Sequence, residues 1–483
     1  MSVHRALRAN TLATAVNFLL ALGSAIIIAR LLTPKEIGIF SIATSLIGFA
    51  HVLRDFGVGQ YLVQLKTVTR DDQRAGFAMM LFSSWSMALL MLVTAPLAAS
   101  FYAQPGIAEV FRVLAGSFAL LPFGAHILSM LKREMRFDLV AVVNIINGVI
   151  STVVSLLLAW QGYGFTSMAW GTLAGNVANV LMLFALRPEM ALMTPRFTGL
   201  GNVLTFGGKS TLAALFQQLG GNSADLILGK TISAEAVAQF SRASSPLTMV
   251  SAKINEVLLQ VFGPAFAKGL REGVSPADLL TRSIQVHTGL YIWMIAMLAL
   301  VSQSLVLLLF GDQWRQAASL APWLTAWALL MAPVTLVPTA LMSAGGAGPV
   351  LRYSLLANAV QMLGMLSSVW LNLEQLVAAL LLVRIVLLLV WQRALSMHLD
   401  FSSRALWEAV RPSLGLAVRS ALPCLLLLMA LRHGPWQVGR MLEIALIGLA
   451  GSALFLLVLR RSSHPLRQEL QRLVPPFAKL LGP

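Results

Sequence analysis

The apolar run 37–64 carries two charges side by side, Arg54 and Asp55, framed by Leu53 and Phe56. A helix of roughly 20 apolar residues crosses the hydrocarbon of a bilayer. A charge near the middle of such a run costs about 3 kcal/mol on insertion scales. Charges kept at that cost face a bundle interior or a water-filled path. An arginine there can hold an anion, and an aspartate can carry a proton or restrain the arginine. Neighbouring residues on a helix point about 100° apart, so the two side chains are expected to bond different neighbours. An interhelical brace is the alternative. His51, one turn earlier, adds a titratable ring.

Two further constellations lie near mid-chain. Gln218, Gly221, Asn222, Asp225 and Gly229 fall at i, i+3, i+4, i+7 and i+11, one face of a helix. That stripe is either close helix packing through glycines or a cavity lining. The next run puts Arg242, Met249, Lys253 and Glu256 on one face. Lys253 and Glu256 are three apart and able to neutralise one another. Arg242 has no acid beside it, which makes it the sharper candidate for an anion contact. Lys209 sits in Phe206-Gly207-Gly208-Lys209-Ser210-Thr211. A nucleotide loop would need glycine at 203, where Val203 stands, and a preceding strand. Nucleotide binding is rejected, and Lys209 remains a point charge suited to phosphate. No metal-ligand cluster, nucleophile–base pair or paired carboxylates stand out, so neither a cofactor nor a catalytic site is expected.

These residues need a scaffold, and composition names its class. The 483 residues are 58% hydrophobic and 11% charged, with a mean hydropathy of +0.79. Soluble domains carry about 25% charged residues. The expected fold is an all-α polytopic membrane protein. Continuously apolar runs exclude a β-barrel, whose strands alternate. The net charge of +16 does not imply nucleic acid, because the basic residues fall between apolar runs. The single cysteine, Cys424, allows no intrachain disulfide. The first run lacks a cleavage pattern after Arg5 and Arg8, so a retained helix is expected rather than a signal peptide.

Fourteen spans are predicted, at about 10–32, 38–64, 75–98, 107–128, 139–160, 165–186, 201–229, 235–262, 284–310, 316–341, 349–371, 374–396, 414–432 and 440–460. Turn chemistry such as Thr33-Pro34, Gln104-Pro105-Gly106 and Gly311-Asp312 separates them. With the N-terminus inside, 22 Lys/Arg fall in inner segments and 6 in outer ones. That asymmetry predicts cytoplasmic termini. The stretch 400–412 mixes Phe401, Trp407 and Val410 with Arg404, Glu408 and Arg411, and is expected as a short interfacial helix.

An internal repeat appears at an offset of 200. Residues 10–45 match 210–245 without a gap at nine of 36 positions, among them Thr11/Thr211, Phe40/Phe240 and Ser45/Ser245, with Arg30/Lys230 and Thr33/Ser233 similar. Six spans separate the copies, which predicts two six-helix lobes related by a pseudo-two-fold along the membrane normal, with the substrate site between them. The lobes are expected at 1–196 and 197–398, with an appendage at 399–483 that holds two C-terminal helices. The repeat sets Arg54-Asp55 against Ile254-Asn255, flanked by Lys253 and Glu256.

At Arg54-Asp55-Phe56-Gly57-Val58-Gly59-Gln60-Tyr61-Leu62-Val63-Gln64 the chain resembles the Wzx-type polysaccharide flippases. These belong to the multidrug/oligosaccharidyl-lipid/polysaccharide exporter superfamily. Further resemblance lies in Arg30-Leu31-Leu32-Thr33-Pro34-Lys35-Glu36, in Met130-Leu131-Lys132-Arg133-Glu134-Met135-Arg136-Phe137, in 222–229, in Pro264-Ala265-Phe266 and in Leu309-Phe310-Gly311-Asp312-Gln313-Trp314. It covers about residues 5–400 and is nearest the colanic-acid exopolysaccharide type. It implies alternating-access translocation of an undecaprenyl-diphosphate-linked oligosaccharide from the inner to the outer leaflet of a bacterial cytoplasmic membrane. The implied headgroup contacts are Arg54, Lys209, Arg242 and Lys253, with Gln218 and Asn222 lining the cavity. Asp55, Asp225 and Glu256 would carry coupling ions. Membrane lipids, a polysaccharide polymerase and a chain-length regulator are the implied partners, with no nucleotide and no nucleic acid. Ile254-Asn255 departs from a symmetric charge pattern. A multidrug exporter of the same superfamily and a non-transporting scaffold of polysaccharide assembly are the rival expectations.

Overall fold

A computed structural model describes residues 3–55, 58–65, 67–191, 193–196, 200–433 and 438–473. Within these, the side chains of 3–13, 60, 61, 64, 191, 200–210, 212, 213, 257, 260, 261 and 473 lie outside the description. The described chain is helical and holds no strand. The helices are α1 (Val3–Leu31), α2 (Pro34–Asp55), α3 (Val58–Gln64), α4 (Arg70–Tyr102), α5 (Gly106–Arg133), α6 (Phe137–Trp160), α7 (Thr166–Leu186), α8 (Pro188–Ala191) and α9 (Leu200–Thr231). They continue as α10 (Ala234–Arg271), α11 (Pro276–Phe310), α12 (Arg315–Met331), α13 (Val337–Ser343), α14 (Ala347–Leu366), α15 (Leu373–His398), α16 (Ser403–His433), α17 (Arg440–Arg460) and α18 (Pro465–Leu473). The chain divides into two compact units, Met1–Ala238 and Gln239–Pro483.

Local signals explain the helix starts. Thr69 and Asp72 form a reciprocal capping box before α4, and Asn372 and Gln375 do the same before α15. The repeat is visible in the same chemistry. Helices α1 and α9 end at 31 and 231, and α2 and α10 begin at 34 and 234. Thr33 Oγ1 accepts from the Glu36 amide at 3.3 Å, and Ser233 Oγ accepts from the Ala236 amide at 3.0 Å. Each hydroxyl satisfies an orphan donor of the first turn.

This is a multi-pass membrane protein. Eleven helical segments among the described residues are long and apolar enough to cross a bilayer. Phe82, Trp85, Leu89, Val93 and Leu97 form an exposed apolar stripe down α4, which suits lipid as its solvent. Helices α9, α10 and α14, at the predicted seventh, eighth and eleventh spans, are not among the eleven. The expected count of fourteen is therefore not reached by length and composition.

The predicted span 38–64 crosses residues 56 and 57, which lie outside the described residues; α2 is described to Asp55 and α3 from Val58. One expectation is corrected. The predicted interfacial helix at 400–412 is not separate, because α16 runs unbroken from Ser403 through Pro412. Its first turn is capped by Ser402, whose hydroxyl accepts from the Ala405 amide at 3.1 Å.

Candidate functional site

Arg54 and Asp55 are the last described residues of α2. Their side chains pair with each other, which corrects the expectation of separate partners. Arg54 is the covered partner, with its side chain 14% exposed against 66% for Asp55. Its guanidinium lies 5.7 Å from the Phe118 ring centroid, a cation–π distance. Its carbonyl accepts from Ser83 Oγ at 2.9 Å. His51 packs on the same Phe118 at 4.5 Å between ring centroids.

The pair faces a cavity of about 770 Å³ inside the first unit. Lys132, Ser84, Ser129 and Thr211 share its wall with Arg54 and Asp55. Among the described residues Lys132 has no carboxylate partner. Asp55 offsets only one of the two cations, so the cavity keeps a net positive charge beside hydroxyl groups.

Helix α3 closes one side. Arg133 donates to the carbonyls of Leu62, Val63 and Leu65 at 3.0, 3.1 and 2.6 Å. These include leftover acceptors of the α3 C-terminus. Two close approaches seat α3 between α4 and α5. A Cβ on Gly59 would come within 3.1 Å of Ser129 Oγ, and one on Gly76 within 2.9 Å of Leu62. Val58 and Leu62 are buried with Ile127 and Leu131 in the same core.

Helix α9 supplies Thr211 to the cavity and its polar stripe to α2. Ser45 donates to Asp225 at 2.8 Å, and Asn222 Nδ2 donates to the Ser45 carbonyl at 3.3 Å. A Cβ on Gly48 would collide with the Gln218 amide and come within 3.2 Å of Asn222 Nδ2. A Cβ on Gly229 would come within 2.6 Å of Ile42. The predicted stripe thus packs on α2 through Gln218, Asn222, Asp225 and Gly229. Gly221 stands apart, with open space where a Cβ would be. Lys209 lies in α9 with its side chain outside the described residues.

The remaining predicted residues belong to the second unit. Arg242 is half-buried, its guanidinium 5.4 Å from the Phe310 ring centroid and 5.8 Å from that of Trp314. Its Nε has no hydrogen-bond partner among the described residues. Gln239, one turn earlier, donates to the Gln313 carbonyl at 3.3 Å and accepts from the Ala317 amide at 2.8 Å. The segment Phe310 to Trp314 is thereby held as the seat of Arg242. Lys253 and Glu256 form an exposed ion pair at 2.7 Å, the self-neutralised arrangement their spacing allows.

The sequence pattern of the family described as "Polysaccharide biosynthesis protein" matches residues 27–319. That is more than half of the chain. The chain belongs to the polysaccharide biosynthesis protein family. Among curated relatives, it is 21% identical over 316 residues to the lipopolysaccharide biosynthesis protein WzxC of Escherichia coli (strain K12), covering 63% of each chain. It is 25% identical over 297 residues to the succinoglycan biosynthesis transport protein ExoT of Rhizobium meliloti (strain 1021), covering 60% of this chain and 59% of that one. The chain thus spans less than two thirds of the length of these relatives. Among solved structures, the lipid II flippase MurJ in an inward closed conformation superposes with a TM-score of 0.73 at 11% identity, over 93% of this chain and 97% of that chain. At that identity the likeness shows the fold.

The stretch matched to the polysaccharide biosynthesis family contains the cavity, the α2–α9 contact and the Arg242 seat. Sequence reasoning missed Lys132, Ser129 and Ser45 as site residues. Lys132 and Ser129 were hidden because a lone basic residue at a span end resembles an orientation signal, and a lone serine signals nothing. Ser45 carried a faint mark, its identity with Ser245 in the repeat.

Proposed function

We propose that this chain is a flippase, moving undecaprenyl-diphosphate-linked oligosaccharide units from the cytoplasmic to the periplasmic leaflet for exopolysaccharide biosynthesis. The observation that carries it is the cavity of about 770 Å³ with Arg54 and Lys132 against a single carboxylate. A diphosphate carries at least two negative charges, and guanidinium and ammonium groups bind it by charge-assisted hydrogen bonds. Ser84, Ser129 and Thr211 offer hydroxyls to the remaining oxygens or the first sugar. ExoT is a transport protein and MurJ a lipid II flippase, which agrees with this reading.

On the same reading the chain is a transporter rather than an enzyme, working by alternating access. Arg242, Lys253 and Lys209 are candidate contacts for the anionic headgroup, Lys253 once released from Glu256, with Gln218 and Asn222 as polar candidates. Asp55, Asp225 and Glu256 are the ion-coupling candidates. The lobes 1–196 and 197–398 are the functional repeats, supported by matching helix ends and caps, and 399–483 is an appendage. The membrane is the bacterial inner membrane with cytoplasmic termini, supported by the 22-to-6 basic asymmetry. A polymerase and a chain-length regulator are the partners that would receive the product.

The test is a leaflet assay in proteoliposomes loaded with lipid-linked oligosaccharide. Appearance of the sugar on the far leaflet, dependent on the protein, supports the reading. Protein-independent appearance at the same rate sinks it.

A further inference from the structure

The second unit holds another cavity, of about 890 Å³, walled by α16, the end of α17 and the turn into α18. Trp407, Arg411, Gly415 and Arg419 line it at steps of four residues, one stripe along α16. Arg411 and Arg419 are separated by about 12 Å of helix rise. Between them, a Cβ on Gly415 would meet nothing within 4 Å. The centre of the stripe is therefore open space between two cations.

These cations are uncompensated. The one acid in the lining, Glu408, is paired with Arg404 at 2.9 Å. Neither Arg411 nor Arg419 has a carboxylate partner among the described residues. The opposite wall is built and neutral. His464 Nδ1 accepts from the Leu466 amide at 3.2 Å, which leaves Nε2–H to donate to Ser413 Oγ at 3.0 Å. Thr288 Oγ1 lies 2.8 Å from the same Ser413 oxygen, which is fully buried.

Beyond Arg419 the helix turns apolar while staying uncovered. Val418, Leu422, Leu426 and Met429 are each half or more exposed and share one face. At the other end Trp407 is 58% exposed. Aromatic side chains sit at the headgroup level of a bilayer, and apolar ones below it. The pair of cations and then the apolar track follow one another along the helix in the order phosphate and acyl chain follow in a lipid.

We propose that this cavity binds an anionic glycerophospholipid. Its phosphate sits over Gly415 between Arg411 and Arg419, and an acyl chain lies along Val418, Leu422 and Leu426. Arginine forks match phosphate oxygens two at a time. A free phosphate would use the cations and leave the track empty. A zwitterionic lipid would bring its own cation to two that are already unpaired. The proposal needs only that the chain lies in a bilayer, and stands apart from the flippase reading.

The test uses the full chain purified in detergent, with native mass spectrometry to count retained lipid and a melting assay. Phosphatidylglycerol, phosphatidylcholine and inorganic phosphate are titrated separately. Phosphatidylglycerol alone is expected to be retained and to raise the melting temperature. The double variant Arg411→Gln/Arg419→Gln should weaken its retention by about tenfold or more, each basic residue near an anionic surface being worth about fivefold. Gly415→Leu should block it by filling the open space, and Arg271→Gln, an exposed cation on α10, should leave it unchanged. Equal effects of phosphatidylcholine or of inorganic phosphate would overturn the proposal. So would tighter retention of undecaprenyl diphosphate than of phosphatidylglycerol. If the double variant does not fold, unaltered retention in Gly415→Leu has the same force.

Discussion

Ser45 of α2 donates a 2.8 Å hydrogen bond to Asp225 of α9, joining two helices that start far apart in the chain. The carboxylate anchors the α9 stripe on α2 while Gly48 and Gly229 allow the close approach. Ser45→Ala should cost about 1 kcal/mol, the scale of an interhelical hydrogen bond in a membrane. Gly48→Leu should cost more, because it drives a side chain into Gln218. Melting curves of the two variants in one detergent check the order. A Gly48→Leu protein as stable as Ser45→Ala would contradict the packing described.

Arg133 holds α3 through three backbone carbonyls. Arg133→Ala leaves those acceptors without their donor and should loosen the connection from α2 to α4. Limited proteolysis is expected to cut near residues 56–69 several-fold faster than in wild type. Arg133→Lys should be intermediate, since one ammonium cannot reproduce the guanidinium geometry. Indistinguishable cleavage of all three proteins would remove this role.

Arg242 rests on Phe310 and Trp314 with Nε unpartnered. Replacing a half-buried, unpaired cation with an apolar chain of similar length is commonly neutral or stabilising. Arg242→Met is therefore expected to melt at or above the wild-type temperature while flipping falls about tenfold, the loss of one charge-assisted contact. A lowered melting temperature with normal flipping would make Arg242 a brace.

His464 lies outside the spanning helices, and burial holds its pKa below the usual 6.5. The fold keeps the ring neutral as a donor to Ser413. The unfolded chain takes up a proton near 6.5 where the folded chain does not. Stability is therefore flat above that pH and falls as the pH drops below it. Melting at pH 7.5 and 5.5 should show a larger acid loss for wild type than for His464→Asn. Equal losses would assign the acid sensitivity elsewhere.

Much of the scaffold is legible in the sequence, because apolar runs and turn residues report directly on which segments avoid water. The helix ends at 31 and 231 and the caps at Thr33 and Ser233 even carry the repeat. What hydropathy misses is where a helix runs on past a residue that reads as a boundary: Pro412 lies inside α16. The stripe from Gln218 to Gly229 was visible as a face, yet its partner Ser45 was not, since one strand of sequence carries no record of which helix will lie beside it. Lys132 joined the cavity only in three dimensions.

The central claim is that the first-unit cavity receives the diphosphate of a lipid-linked oligosaccharide. The most direct measurement is leaflet translocation by Arg54→Gln/Lys132→Gln in proteoliposomes, beside wild type and at equal reconstituted amounts. Removal of both cations is expected to slow translocation at least about tenfold, each charge-assisted contact being worth about 1.5 kcal/mol or more, with the melting temperature little changed. Translocation by the double variant at the wild-type rate would contradict the account.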